Sequence, residues 1–202
     1  MVGRFKNKIY AGVLGKLIGV YLGRPVEGWS YQKIRDTFDE VKYYVHDRVG
    51  VPLIVADDDI SGTFGFFRAL EDYGYDKNIP AKAFGDTWLN YIIENRTILW
   101  WGGLGRSTEH TAFLNLKNGI EAPMSGSMKI NGKTLSEQIG AQIFIDAIAM
   151  SCPDNPDLAV ELVRKAASVS HDGIAVQAAC HLPAQEAKAI TEKDGHVLMD
   201  RA

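Results

Sequence analysis

Apolar and polar positions alternate along most of this chain with the period of a helix. From Ile9 to Leu22 the apolar side chains Tyr10, Val13, Leu14, Leu17 and Tyr21 recur at the three- and four-residue steps of an amphipathic helix. A second stripe, Gly12, Gly15, Gly19 and Gly23, runs beside it. Each interior glycine costs roughly 1 kcal/mol relative to alanine, so the stripe implies close approach by another helix or by a ligand. Arg24-Pro25-Val26-Glu27-Gly28 then stops the helix and turns the chain.

Further helices follow. Phe64, Phe67 and Leu70 mark one within residues 57–70, and Ala81, Phe84, Trp88, Tyr91 and Ile92 mark another behind Asn78 and Pro80. A glycine-rich loop, Trp100-Trp101-Gly102-Gly103-Leu104-Gly105, precedes a helix from about Thr108 to Gly119. Residues 121–133 read as a loop centred on Ser125-Gly126-Ser127. Thr134-Leu135-Ser136-Glu137 has the form of a capping box and predicts a helix to about Met150. Asn155-Pro156-Asp157 supplies a cap, a first-turn proline and a first-turn acid for the stripe Ala159, Leu162, Val163 and Ala166. A last helix begins around Ser170-His171-Asp172-Gly173. The run Val51 to Val55 has strand-like composition, but Pro52 weakens it and no alternating series accompanies it. The predicted class is all-α.

Composition changes this picture little. The 202 residues suit one domain, and 46% apolar with 23% charged residues is the balance of a folded globule. A net charge of −3 without a basic block argues against nucleic acid as a partner. The N-terminal apolar run is interrupted by glycines and Lys16, which fits neither a signal peptide nor a membrane span. Cys152 and Cys180 match no zinc spacing and read as reduced core thiols of a cytoplasmic protein.

The candidate chemistry lies in a few acids. Asp57-Asp58-Asp59 stands between two apolar segments. Carboxylates about 5 Å apart repel by roughly 3 kcal/mol at an effective dielectric near 20. A hard divalent ion such as Mg²⁺ or Ca²⁺ relieves that repulsion; a place at a helix start, where acids favour the macrodipole, explains the same residues structurally. An Asp-Asp-x-x-Asp motif of the prenyl-diphosphate type fails at Ser61. Glu27, fixed on its turn, has the chemistry to orient or deprotonate a water, or is simply a solvated turn residue. Asp172 beside His171 suits a helix cap. The 100–105 and 125–127 loops offer backbone N–H groups of the kind that meet phosphates, without matching a known nucleotide fingerprint.

In order, these pieces resemble the ADP-ribosylglycohydrolase family: the helix around Ala11-Gly12-Val13-Leu14-Gly15-Lys16-Leu17-Ile18-Gly19, then Gly23-Arg24-Pro25-Val26-Glu27 and Ala56-Asp57-Asp58-Asp59. Gly140-Ala141-Gln142-Ile143-Phe144 and Ser168-Val169-Ser170-His171-Asp172-Gly173 complete the likeness over residues 6–180. The resemblance implies an all-helical fold and a two-metal Mg²⁺ centre that cleaves the anomeric bond of ADP-ribose attached to a protein side chain or small molecule. It implies metal ligation by Asp57, Asp58 and Asp59, with Asp57 in place of the family's usual Thr. Glu27 and Asp58 become the catalytic pair, Glu27 managing the water. Gly102, Gly103, Ser125, Gly126, Ser127, His171 and Asp172 become the substrate-binding set. The family's second metal motif, Asp-x-Asp-[Ser/Thr], is absent from the tail, where Asp194 and Asp200 stand alone. Half of the ligand set is then missing, and the expected organisation is an incomplete helical domain over residues 1–182 with a divergent tail over 183–202. A non-catalytic ADP-ribose-binding or structural member is the alternative expectation.

Overall fold

A computed structural model describes residues 2–55, 57–94, 96 and 102–200, and among them every regular element is helical. The class is all-α, as the periodicity predicts. The helices are α1 (Val2–Gly23), α2 (Tyr31–Phe38), α3 (His46–Val49), α4 (Asp58–Asp72), α5 (Ala81–Tyr91) and α6 (Thr108–Lys117). They continue with α7 (Met128–Asn131), α8 (Lys133–Ser136), α9 (Asp146–Met150), α10 (Pro156–Ala167), α11 (Gly173–Ala189) and α12 (Gly195–Asp200). Short 3₁₀ turns cover Arg24–Val26, Met124–Gly126 and Ile139–Gln142.

The core forms where α10 and α11 pack on each other and on α9, with α5 and α4 closing the other side. On α4 the buried stripe is Gly62, Thr63, Phe66, Ala69 and Leu70. Phe64 and Phe67 are half-buried and line an apolar groove with Phe5, Ile9 and Val13 of α1, Phe67 also packing against the core. Gly62 shapes the buried face. Any Cβ there would lie 2.6 Å from the Phe144 ring, so the bare backbone lets that ring in and turns Phe66 inward. Phe66 stacks on Trp88 at 4.2 Å and meets Phe144 edge-on at 5.3 Å. Such aromatic pairs contribute about 0.5–1.5 kcal/mol beyond burial.

Two sequence expectations change. The helix predicted from the 134–137 capping box to Met150 is broken into α8, a 3₁₀ turn and α9. Within that turn, a Cβ at Gly140 would overlap the tip of the Glu109 side chain. The loop over 121–133 contains a 3₁₀ turn and α7. Residues 51–55 form no strand, in keeping with Pro52. The chain runs helically through buried Pro183 to Ala189. The glycine stripe of α1 meets a partner only at Gly12, against Met150; Gly15, Gly19 and Gly23 face open space. No described helix is long and apolar enough to cross a membrane.

Candidate functional site

The acidic triplet opens α4. Asp57 is extended (φ −136°) and caps the helix: its Oδ1 accepts the Asp59 N–H at 3.0 Å, and its carbonyl accepts the Ser61 N–H and hydroxyl, each at 2.9 Å. This is what a capping acid does, but here two more acids follow. One ligand oxygen from each of Asp57, Asp58 and Asp59 lies within 4.8 Å of the others, and all three residues are half-buried. Burial pushes the Asp58 carboxyl up, and the charges of Asp57 and Glu27 add to it. Asp59 is raised to about 6, first by burial and then by Asp57 and Asp58, with Lys16 opposing them.

The turn Arg24–Val26 brings Glu27 beside this cluster, close enough that its charge acts on both Asp58 and Asp59. Pro25, buried at the second position of the turn, holds it in place. Glu27 is exposed and lines a cleft of about 570 Å³ with Arg24, Pro25, Gly28, Val51 and Pro52. Arg24 leans the other way, placing Nε 3.4 Å from Asp57 Oδ2. Ala56, which precedes the triplet, lies outside the described residues.

A polar layer lies beneath. Lys16 donates from Nζ to Asp146 Oδ2 at 2.6 Å and to the Ile143 carbonyl at 2.8 Å. The Thr63 hydroxyl is within reach of the Asp59 and Ile143 carbonyls, at 2.6 and 2.9 Å. The Glu186 carboxyl of α11 is pushed well above its ordinary range by burial and then by the neighbouring Asp146 charge. Lys16 therefore ties α1 to α9 while compensating acids on three helices.

The remaining predicted site residues take mainly structural positions. The Gly103 N–H donates to His110 Nδ1 at 3.0 Å and the Gly105 N–H to Thr111 Oγ1 at 2.8 Å, so the loop is folded onto α6. Gly102 packs on Ser107, and a Cβ there would sit 3.4 Å from the serine's own. Trp100 and Trp101 lie outside the described residues. Ser125 is fully buried and donates to the Val169 carbonyl at 2.6 Å. Gly126 abuts the Ser170–His171 backbone so closely that no Cβ fits, and Ser127 donates to the Met124 carbonyl at 2.9 Å. Asp172 caps α11, accepting the Gly173 N–H at 2.7 Å on one oxygen and the Met128 N–H at 3.0 Å on the other. His171 is 1% exposed, and burial lowers it to about 4, so the ring is neutral. These loops build a scaffold rather than an open rim.

Sequence reasoning missed Glu109. It sits in the first turn of α6, where the dipole alone accounts for an acid. It does not point outward. Its Oε2 accepts the Ser107 hydroxyl at 3.2 Å, and its Oε1 lies 3.6 Å from His171 Nε2. Burial raises its carboxyl, and the Asp58 charge adds to that. No spacing in the sequence marks it, because His171 is 62 positions away in the chain.

Comparison with known families gives one match: the family model described as ADP-ribosylglycohydrolase matches residues 1–201. Comparison with curated proteins and with solved structures returned no match.

Proposed function

The chain belongs to the ADP-ribosylglycohydrolase family, and on that premise we propose that it is a magnesium-dependent hydrolase of the glycosidic bond joining ADP-ribose to a protein side chain or a small molecule. The observation that carries this reading is the convergence of Asp57, Asp58 and Asp59 within 4.8 Å, with Glu27 acting on two of them. The donor set fits a hard divalent ion: three carboxylates, two of them held above their ordinary range first by burial and then by neighbouring charge, would be relieved by bound charge. Asp58 and Asp59 are the best placed to hold it, since both Asp57 oxygens already have partners.

Bound magnesium would supply Lewis acidity toward the ribose hydroxyls and a nearby water. The protein's part is positional. Glu27, exposed on a rigid turn, accepts the proton of the attacking water. That water's oxygen bonds to the anomeric carbon as the bond to the leaving atom breaks, through a centre with oxocarbenium character. Asp58 shares the cluster and stabilises that developing positive charge.

A second reading is a member that binds ADP-ribose without turning it over. It is favoured by Arg24, whose guanidinium already lies against Asp57 where a cation would be welcome. The two are separated by measuring ADP-ribose release from ADP-ribosylated protein, with and without Mg²⁺, alongside calorimetry with ADP-ribose. Release that needs Mg²⁺ and is lost in Glu27→Gln supports hydrolysis. Binding without release supports the second reading, and neither binding nor release overturns both.

A further inference from the structure

We propose that Glu109 is the acid that binds the sugar hydroxyls of the ligand, and that His171 is the positioning residue behind it. This deepens the ADP-ribose reading and rests on it.

An acid in the first turn of a helix is ordinarily solvated, because the dipole stabilises it without any inward contact. Glu109 is turned inward instead, with its side chain 17% exposed. Residue 140 must be glycine for it to lie there. Its position is therefore built from α6, the 139–142 turn and the segment before α11, and not from helix propensity. A carboxylate has about four lone-pair sites. Ser107 satisfies one of them on Oε2, whereas Oε1 faces His171 Nε2 across 3.6 Å, beyond hydrogen-bond range.

The histidine makes the same point from the other side. Nδ1 is engaged by the Ser170 hydroxyl at 2.7 Å, and Nε2 is buried without a hydrogen-bond partner among the described residues, its side chain 0% exposed. Buried polar atoms are nearly always satisfied. An unpartnered Nε2 directly behind an under-satisfied acid marks a place where a ligand bound to that acid completes the network.

The class of ligand follows from charge. An anion would meet Glu109 and Asp58 together, which excludes a phosphate here. A pair of vicinal hydroxyls brings no charge and supplies two O–H donors to one carboxylate, as the diol of a ribose does. Because His171 is buried, it acts on the ligand only through Glu109, and both Asp172 oxygens are committed to the Met128 and Gly173 N–H groups.

Calorimetry on the full chain with three titrants tests this: Mg²⁺ alone, ADP with Mg²⁺, and ADP-ribose with Mg²⁺. Glu109→Gln is expected to weaken ADP-ribose about tenfold or more through loss of charge-assisted hydrogen bonds, and to change ADP and Mg²⁺ less than twofold. Glu109→Asp, which keeps the charge and shortens the reach, should fall between, and it serves if the first variant misfolds. His171→Leu should repeat the selective loss of ADP-ribose affinity. His171→Gln should recover part of it, since its amide nitrogen reaches the position of Nε2. Equal ADP-ribose affinity in wild type and Glu109→Gln overturns the proposal and leaves the family reading intact. Weaker Mg²⁺ binding alone would make Glu109 a metal ligand and overturns it too, as does equal loss of ADP. A wild-type chain that binds no ADP-ribose removes both readings at once.

Discussion

Asp57–Asp59 and Glu109–His171 are both clusters of ionisable groups held partly out of water, yet they solve the same electrostatic problem in opposite ways. The triplet is open and over-charged. Its repulsion is met by cations brought from elsewhere, Arg24 at 3.4 Å and Lys16 through the layer below. The pair is closed and under-charged: His171 is neutral, Glu109 is raised by burial, and backbone packing at Gly126 and Gly140 fixes their positions. A crowd of charges awaits a cation. A lone carboxylate beside a neutral imidazole suits hydroxyls. On the proposed function, the difference would divide the work of one site, with the cation on the open side and the sugar on the closed one.

The largest effect should come from removing the cation under the open cluster. Lys16→Met leaves Asp146 and Asp59 uncompensated in half-buried positions and detaches α1 from the Ile143 carbonyl. Breaking a buried pair by deleting one partner costs about 3–5 kcal/mol, which for a chain of this size lowers Tm by about 10 °C. Thermal unfolding checks it. An unchanged Tm would mean that the triplet's charge is balanced by Arg24 alone.

Acid and base titration of stability separates the two clusters more sharply, because their slopes oppose each other. His171 falls from 6.5 to about 4 on folding. Its contribution is complete above pH 6.5 and is lost as pH drops through that window, about 3 kcal/mol in all. Asp59 rises from 3.8 to about 6. Its contribution is present below pH 3.8 and is lost as pH rises through 6, about 1–2 kcal/mol after allowance for solvent screening. Denaturant unfolding between pH 4 and 7 should therefore show a curve whose falling acid limb disappears in His171→Gln. Asp59→Asn should instead raise stability at pH 7. If both variants shift the curve in the same direction, the contrast between the clusters is false.

Much of the open cluster was legible in the sequence, and almost none of the closed pair. Three consecutive acids announce their own repulsion, and a helix start after Asp57 needs only local capping geometry. The α10 stripe was equally plain, with Ala159, Leu162 and Val163 all buried. The failures share one cause, which is contact between residues distant in the chain. The predicted 134–150 helix is broken where Gly140 lies against Glu109, and α4 meets Phe144 at Gly62. Ser125 read as a free loop hydroxyl because nothing local predicts its bond to Val169. Glycine told the sequence reader that something comes close, not what.

A smaller effect probes how firmly the closed pair is fixed. At Gly126 the neighbours of an added Cβ are the backbone atoms of Ser170 and His171, which cannot swing aside as a side-chain tip can. Gly126→Ala should cost about 2 kcal/mol by overpacking and displace His171. The expected result is a lower Tm together with weaker ADP-ribose binding and unchanged Mg²⁺ binding. A variant with native stability would show that the pair sits more loosely than the close packing implies.

The mildest test reaches Glu109 from its other oxygen. Ser107 serves two masters, accepting the His110 N–H at 3.1 Å as the cap of α6 and donating to Glu109 Oε2 at 3.2 Å. Ser107→Ala removes both bonds, and loss of such a cap costs about 1 kcal/mol. Ser107→Asp restores the cap but sets a second carboxylate against Glu109. If Ser107 matters only to the helix, the aspartate variant should match wild type in Tm and in ADP-ribose affinity. If it also holds Glu109, the aspartate variant should recover the stability of the cap while losing several-fold in ADP-ribose binding, a split that melting curves and calorimetry together resolve.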